Sequence, residues 1–145
     1  MTATTAPAPQ VHTVYYDGAC PLCRGEIALL RQHNTAGRLE FVDIAAPGFD
    51  PAPLGVGLPA MLDRMHVRRP DGGWLVGIPA FQVMYAVTGF HGVARWLNRP
   101  WVARLAARAY PWIVRNRYRL PHTLVQAFFR LQQRSCRAEG ACEWR

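Results

Sequence analysis

Two cysteines three residues apart, Cys20 and Cys23, are the side chains of this sequence best suited to chemistry. They follow a β-branched and aromatic run that ends in an Asp17-Gly18 turn signal, and a helical pattern starts at Pro21. If a helix begins there, Cys20 lies at its mouth and Cys23 lies one turn later on the same side. The unpaired amides and the dipole of a helix N-terminus favour negative charge. Because the thiolate is the form that attacks disulfides, the spacing predicts a redox site.

The Cys20–Cys23 pair is open to three interpretations on spacing alone. It can be a redox dithiol, half of a zinc site, or two unrelated buried thiols. The surrounding strand, turn and helix favour the redox interpretation, since cysteine pairs near a βαβ pattern are typical of it. In that interpretation Cys20 is the reachable thiolate that attacks, and Cys23 is the more enclosed thiol that resolves the mixed disulfide.

The elements that must position this pair follow from hydrophobic periodicity. Cys23, Ile27 and Leu30 form one apolar stripe of a helix over 21–35, and an Asp71-Gly72 signal indicates a hairpin. A connector over 45–59 is rich in proline and glycine, with a short helix expected near its end. The predicted strands are 11–16, 39–44, 65–69 and 74–78, and a second helix covers 81–88. This order, βαβ then ββα, predicts an α/β fold with a four-stranded mixed sheet.

The chain beyond residue 91 is predicted to be helical and basic, over 93–97, 101–110, 112–118 and 123–134, with a break before Pro111. Ten arginines and no acidic residue lie between Asp71 and Glu139, and aromatic residues are interleaved among them. One interpretation is a helical cap whose aromatic side packs on the sheet. The other is a face that docks on an anionic membrane surface or a partner. No nucleic-acid recognition motif is present, so no nucleic acid is expected.

A stretch of seven residues, Asp17-Gly18-Ala19-Cys20-Pro21-Leu22-Cys23, resembles the signature of the DCC family of thiol-disulfide oxidoreductases, named for Asp-x-x-Cys-x-x-Cys. The likeness extends over roughly residues 12–121, through Asp71-Gly72-Gly73, Gly77, Ala80-Phe81, Tyr110 and Asn116-Arg117-Tyr118-Arg119-Leu120. The resemblance implies a thioredoxin-like fold, which agrees with the predicted element order. It also implies that Cys20 and Cys23 are the active pair, and it carries Asp17 over as a motif residue.

The predicted organisation is a disordered tail over 1–10, a thioredoxin-like core over 11–90, a helical extension packed on it over 91–135, and a C-terminal tail over 136–145. The first ten residues lack the basic start and apolar centre of a secretory signal. No uninterrupted apolar stretch reaches about 18 residues, the length expected of a spanning helix. We therefore expect a cytoplasmic protein.

One position departs from the thioredoxin pattern. In thioredoxin-like proteins a cis-proline usually precedes the third core strand and faces the cysteines, but here that place falls near Arg64 or Met65. A cis peptide bond is a specific feature and not a default. Substrate docking of the ordinary thioredoxin type is therefore in doubt, and Arg64 could instead stabilise the Cys20 thiolate.

The expected function is exchange between the Cys20–Cys23 dithiol and a substrate disulfide, in the reducing direction, with a separate thiol donor and no bound cofactor. The alternative is a non-enzymatic zinc-binding or docking module. Asp17 has three candidate roles in this scheme. Its charge could raise the pKa of a nearby thiol, it could accept a proton from Cys23, or it could fix the Asp-Gly turn.

A second pair of thiols, Cys136 and Cys142, lies near the C-terminus. The two could relay electrons to Cys20 and Cys23, or complete a four-cysteine zinc site with them. Their spacing of six is looser than the usual zinc spacing, and spare thiols in a tail are a third interpretation.

Overall fold

The computed structural model describes residue 8 and residues 10–138, with side chains up to residue 134. Within these residues four strands and six α-helices follow one another. The strands are β1 (His12–Tyr16), β2 (Leu39–Asp43), β3 (His66–Arg68) and β4 (Trp74–Val76). The helices are α1 (Pro21–His33), α2 (Leu58–Asp63), α3 (Ile78–Val87), α4 (His91–Leu97), α5 (Pro100–Asn116) and α6 (His122–Ala138).

The strands form a mixed sheet in the order β2-β1-β3-β4. Strand β1 pairs in parallel with β2 and antiparallel with β3, and β3 pairs antiparallel with β4. The predicted α/β architecture with a four-stranded mixed sheet is therefore confirmed. Successive residues of a strand point to opposite faces, and accordingly Val14 joins the main core with Leu30 and Met84, while Tyr15 packs with Met61 on the other face.

Helix α1 begins at a proline and is tied to the sheet at its C-terminal end. At its start Pro21 occupies the first helical position, where a missing amide hydrogen costs little. At its end Asn34 bonds β2 twice: its Nδ2 donates to the Leu39 carbonyl at 2.8 Å, and its Oδ1 accepts from the Leu39 amide at 3.1 Å. The C-terminal end of α1 is therefore held in a fixed place relative to β2.

Several predicted boundaries differ from the structure. Strand β4 ends at Val76 and α3 begins at Ile78, because Gly77 between them has a φ of 71°, which L side chains rarely adopt. The predicted break before Pro111 is wrong, since α5 runs continuously past it. A proline inside a helix costs about 3 kcal/mol or more. Both Pro111 and Ala107, whose carbonyl loses its helical partner, are exposed to water that can satisfy the free group.

Helices α4, α5 and α6 pack on the first helices of the chain. Contacts join α3 to α4 and α5, and α1 to α6. At the last of these the Phe129 ring lies so close to Gly25 that a Cβ there would overlap it. The predicted division into a core over 11–90 and an extension over 91–135 stays a prediction. No helix in the part of the chain that the structure describes is long and apolar enough to cross a bilayer.

A buried polar chain crosses this helical packing. The Tyr85 hydroxyl on α3 donates to Glu26 Oε1 on α1, and Gln132 Nε2 on α6 donates to the Tyr85 oxygen at 2.7 Å. All three side chains are buried. Burial raises the pKa of Glu26 to about 7, and the hydrogen bond from Tyr85 only partly opposes that effect. The fold therefore favours a protonated Glu26.

Replacing Glu26 with Gln should change how stability depends on pH. Because the pKa of Glu26 in the fold lies above its ordinary value of 4.5, the wild-type free energy of unfolding should fall as pH rises through 7. Glu26→Gln has no carboxyl at this position, so its free energy of unfolding should not fall in this way. We expect urea titrations to give similar stabilities at pH 4 and an advantage for the variant of up to about 3 kcal/mol at pH 8.

A matched control is Glu40→Gln, which removes an exposed carboxylate of β2. Its difference from the wild type should stay small at both pH values. A Glu26→Gln difference that is the same at pH 4 and pH 8 would contradict the assignment of a raised pKa to Glu26.

Candidate active site

The turn between β1 and α1 carries the cysteine pair. The Cys20 amide donates to the Asp17 carbonyl at 3.1 Å, and the Ala19 amide donates to Asp17 Oδ1 at 3.0 Å. The Gly18 amide donates to Asp43 Oδ1 at 2.9 Å, and a Cβ at position 18 would overlap the Asp43 carboxylate. A larger residue at position 18 would therefore have to displace the Asp43 carboxylate. One of the three candidate roles for Asp17 is to fix the turn, and the contact that this role requires is present.

Cys20 caps α1 with its sulfur. Its Sγ accepts a hydrogen bond from the Cys23 amide at 3.3 Å. The pKa of Cys20 is lowered to about 6, mainly by a hydrogen bond from the Cys23 thiol, and further by the Cys23 and Leu22 amides and the charge of Arg117; burial opposes these effects. At neutral pH the Cys20 sulfur is therefore mostly ionised.

Cys23 shows the opposite behaviour. Its pKa is raised far above the ordinary value, first because its proton is held in the hydrogen bond to Cys20 and second because of burial. The neighbouring Cys20 thiolate adds repulsion against a second negative charge. The pair thus holds one proton between two sulfurs, and its first ionisation belongs to the pair as a unit.

The accessibility of the two sulfurs is the reverse of the sequence-based expectation. Cys20 is 0% exposed, whereas Cys23 is half-buried and lines a cavity. The prediction of a reachable Cys20 and a more enclosed Cys23 is therefore wrong.

The end of α5 lies against the turn: Arg117 Nη2 pairs with Asp17 Oδ2 at 3.3 Å, and the Tyr118 hydroxyl donates to the same oxygen.

The cation beside the thiolate is also not the one proposed from the sequence. Arg64 is exposed and its Nε lies 3.9 Å from Asp63 Oδ2, whereas Arg117 acts on both cysteines. From the sequence, Arg117 and Tyr118 were residues of the family resemblance with no predicted role. The motif Asn116-Arg117-Tyr118-Arg119-Leu120 was the sequence signal that could have identified them.

The backbone before β3, where a cis-proline was sought, is engaged by α5. The Met65 amide donates to the Tyr110 hydroxyl at 2.7 Å. No peptide bond among the described residues is cis. A peptide substrate that paired with this backbone would have to displace Tyr110, because a single amide hydrogen serves one acceptor well.

A cavity of about 700 Å³ opens beside Cys23. Most of its wall is apolar, and its polar groups include Glu26 and Arg117. Apolar wall residues come from several elements, among them Leu22, Phe81, Val93, Trp96, Leu97, Ala106, Ile113, Phe128 and Leu131.

No group of three or more histidine, cysteine or carboxylate side chains is placed to hold a metal ion within the described residues. Cys142 and the side chain of Cys136 lie outside them. The second redox pair, the four-cysteine zinc site and the spare-thiol interpretation therefore stay predictions.

Comparisons with known proteins agree with the site chemistry. The family described as DCC1-like thiol-disulfide oxidoreductase matches residues 14–123. A protein named as uncharacterized and chloroplastic, from Arabidopsis thaliana, is 31% identical over 121 residues, which cover 81% of this chain and 56% of that protein. The chain thus spans little more than half the length of this relative. No solved structure gives a significant match.

The thiolate absorbance of the reduced protein should report the Cys20 ionisation. We expect a midpoint near pH 6 in a Cys136→Ser, Cys142→Ser background, which removes the other thiols. Cys23→Ala should move the midpoint well upward, toward the ordinary thiol value, because it removes the largest stabilising hydrogen bond. Arg117→Gln should move it upward by less, since the charge is a smaller cause.

The matched control for Arg117→Gln is Arg24→Gln, which removes an exposed arginine next to Cys23 in the sequence. It should leave the midpoint in place. Equal shifts in the two arginine variants, or a wild-type midpoint near 9, would contradict this account of the site.

Proposed function

Because the chain belongs to the DCC1-like thiol-disulfide oxidoreductase family, we propose that Cys20 and Cys23 carry out dithiol-disulfide exchange in the reducing direction. The observation that carries the proposal is the ionised Cys20 sulfur at the start of α1, hydrogen-bonded by Cys23 through both amide and thiol. A thiolate is available at neutral pH, and a second thiol lies within hydrogen-bond distance to complete the exchange.

The exchange passes through a mixed disulfide. One cysteine sulfur bonds to a substrate sulfur, and half of the substrate leaves as a thiolate. The other cysteine then attacks the mixed disulfide, which releases the second half and leaves a Cys20–Cys23 disulfide. The substrate gains two electrons and two protons in all. A separate thiol donor must return these to the pair before the next cycle, and no bound cofactor is required.

Asp17 is proposed as a positioning residue. Its Oδ1 fixes the turn through the Ala19 amide, and its Oδ2 holds Arg117 and Tyr118 against the turn. Through Arg117 it places a positive charge where the Cys20 thiolate needs one. The cytoplasmic location stays a prediction, because the name of the Arabidopsis relative gives a chloroplastic one.

The redox proposal can be tested by equilibrating the protein with mixtures of reduced and oxidised dithiothreitol and counting free thiols after acid quenching. We expect one two-electron transition that converts Cys20 and Cys23 into a disulfide. Cys20→Ser and Cys23→Ser should each abolish it, because a disulfide needs both sulfurs. The matched control, Cys136→Ser with Cys142→Ser, should keep the transition.

The zinc-binding alternative gives a different result. Stoichiometric zinc in the purified protein that is lost on Cys20→Ser, together with no Cys20–Cys23 transition, would overturn the redox proposal. Thiolate ligation and disulfide formation use the same sulfurs, so the two outcomes exclude each other.

We also propose that α5 and α6 present a surface to an anionic membrane. On α5 the exposed residues Trp101, Leu105 and Trp112 fall on one helical stripe, at i, i+4 and i+11. Arg108 lies within the same stripe and Arg104 beside it. An exposed apolar stripe bordered by arginines is typical of helices that lie in the membrane interface.

Helix α6 adds a second stripe, in which Leu124, Phe128 and Leu131 are exposed at i, i+4 and i+7. The aromatic residues on α5 and α6 are of a type enriched at membrane–water interfaces, where one end of the ring is in an apolar environment and the other meets water. The net charge of +8 adds attraction to anionic lipids.

Co-sedimentation with vesicles should test this surface. We expect binding to phosphatidylcholine vesicles that contain phosphatidylserine, weaker binding at high salt, and little binding to phosphatidylcholine alone. Arg104→Ser with Arg108→Ser should weaken binding by about tenfold or more, at roughly 1 kcal/mol for each arginine near the surface. The charge-matched control Arg24→Ser with Arg38→Ser should weaken it much less, and equal losses would contradict the assignment to α5.

A further inference from the structure

The route from solvent to the cysteine pair runs through the cavity beside α1. Cys20 is completely buried, and Cys23 lines the cavity. A folded protein disulfide is too bulky to enter a cavity of about 700 Å³, a volume within the range of small-molecule sites. The size of the cavity therefore favours a small substrate over a protein loop.

The cavity wall indicates what kind of small molecule would bind. Its residues are mostly apolar, including the half-buried Phe81, Val93 and Ala106. The exposed apolar side chains of Trp96 and Phe128 also belong to its lining. Transfer of an alkyl or ring body from water into such a wall is favourable, whereas a charged group would lose its hydration.

We infer that the cavity beside Cys23 binds a small, mainly apolar disulfide, whose sulfur meets Cys23 first. This inference rests on the proposed dithiol-disulfide exchange and names the substrate class and the order of attack. It differs from the sequence-based scheme, in which Cys20 attacks first.

When Cys23 attacks first, Cys20 accepts the proton that the Cys23 thiol must lose. The Cys23 sulfur attacks one substrate sulfur while its proton passes to the Cys20 thiolate, to which it is already hydrogen-bonded. The substrate S–S bond breaks, and the leaving thiolate takes the proton from Cys20. The renewed Cys20 thiolate attacks the Cys23 sulfur, and the second half of the substrate leaves and is protonated from solvent. The substrate is reduced to two thiols, and the dithiol is oxidised to a disulfide.

A homologous series of symmetric dialkyl disulfides, from dimethyl to dibutyl, tests the substrate class. The rate constant for oxidation of the reduced protein is measured for each, and is divided by that of dithiothreitol with the same disulfide. We expect this ratio to rise with chain length by up to about fourfold for each methylene buried in the cavity. A ratio that stays flat or falls would overturn the inference.

Two adjacent alanines of α5 provide a matched pair of variants. Ala106 is half-buried and lines the cavity, whereas Ala107 is exposed and is not part of the wall. Ala106→Trp should fill the cavity and flatten the dependence on chain length, and Ala107→Trp should preserve it. If circular dichroism shows that Ala106→Trp does not fold, Ala109→Trp places the ring at a more exposed wall position. Equal behaviour of the wall and control variants would overturn the inference.

The order of attack has its own readout. Peptide mapping after acid quenching of the dibutyl disulfide reaction should find the butylthio group on Cys23, and an adduct on Cys20 would overturn this part.

The failure of the inference is distinguishable from that of the proposed function. A Cys20–Cys23 disulfide that forms with no dependence on chain length refutes only the cavity, whereas no disulfide with any member of the series refutes the exchange as well.

Discussion

The hydrogen bond between the two cysteine sulfurs is the interaction on which the rest of the site depends. It keeps one proton within the pair, lowers the pKa of Cys20 to about 6 and raises that of Cys23. The helix N-terminus and Arg117 add to it, but neither supplies its largest part. The first turn of α1 must therefore hold both sulfurs on one side, and the bonds that anchor α1 to β2 and to the Asp17 turn meet that requirement.

Burial is the second constraint: the sulfur that carries the negative charge is not the sulfur that meets the cavity. The ionised sulfur lies beneath the protein surface, and the protonated one meets the cavity. In water a thiolate would be well solvated, so a buried one needs fixed partners to replace that solvation. Cys23 and Arg117 provide them here. The same arrangement favours a small apolar substrate, because the cavity beside Cys23 is mostly apolar.

Much of the architecture could be predicted from the sequence, because its signals are local. The turn signals at Asp17-Gly18 and Asp71-Gly72, together with strand and helix periodicity, gave the order of elements and placed Cys20 at the start of α1. The burial of Cys20 could not be predicted in this way. It accompanies contacts of Asp17 with Arg117 and Tyr118, which no local periodicity encodes. The helix through Pro111 was also not predicted, because the local preference against proline takes no account of the water that can satisfy the carbonyl of the exposed Ala107.

The contact between Asp17 and Tyr118 joins residues 101 positions apart in the chain. During synthesis, at about 5–20 residues per second, the strands and first helix emerge seconds before the end of α5. During that interval the contacts of Asp17 with Arg117 and Tyr118 cannot form, so the Cys20 sulfur lacks the positive charge that helps to lower its pKa. The electrostatic environment of the reactive pair is thus completed late, as residues 117 and 118 leave the ribosome.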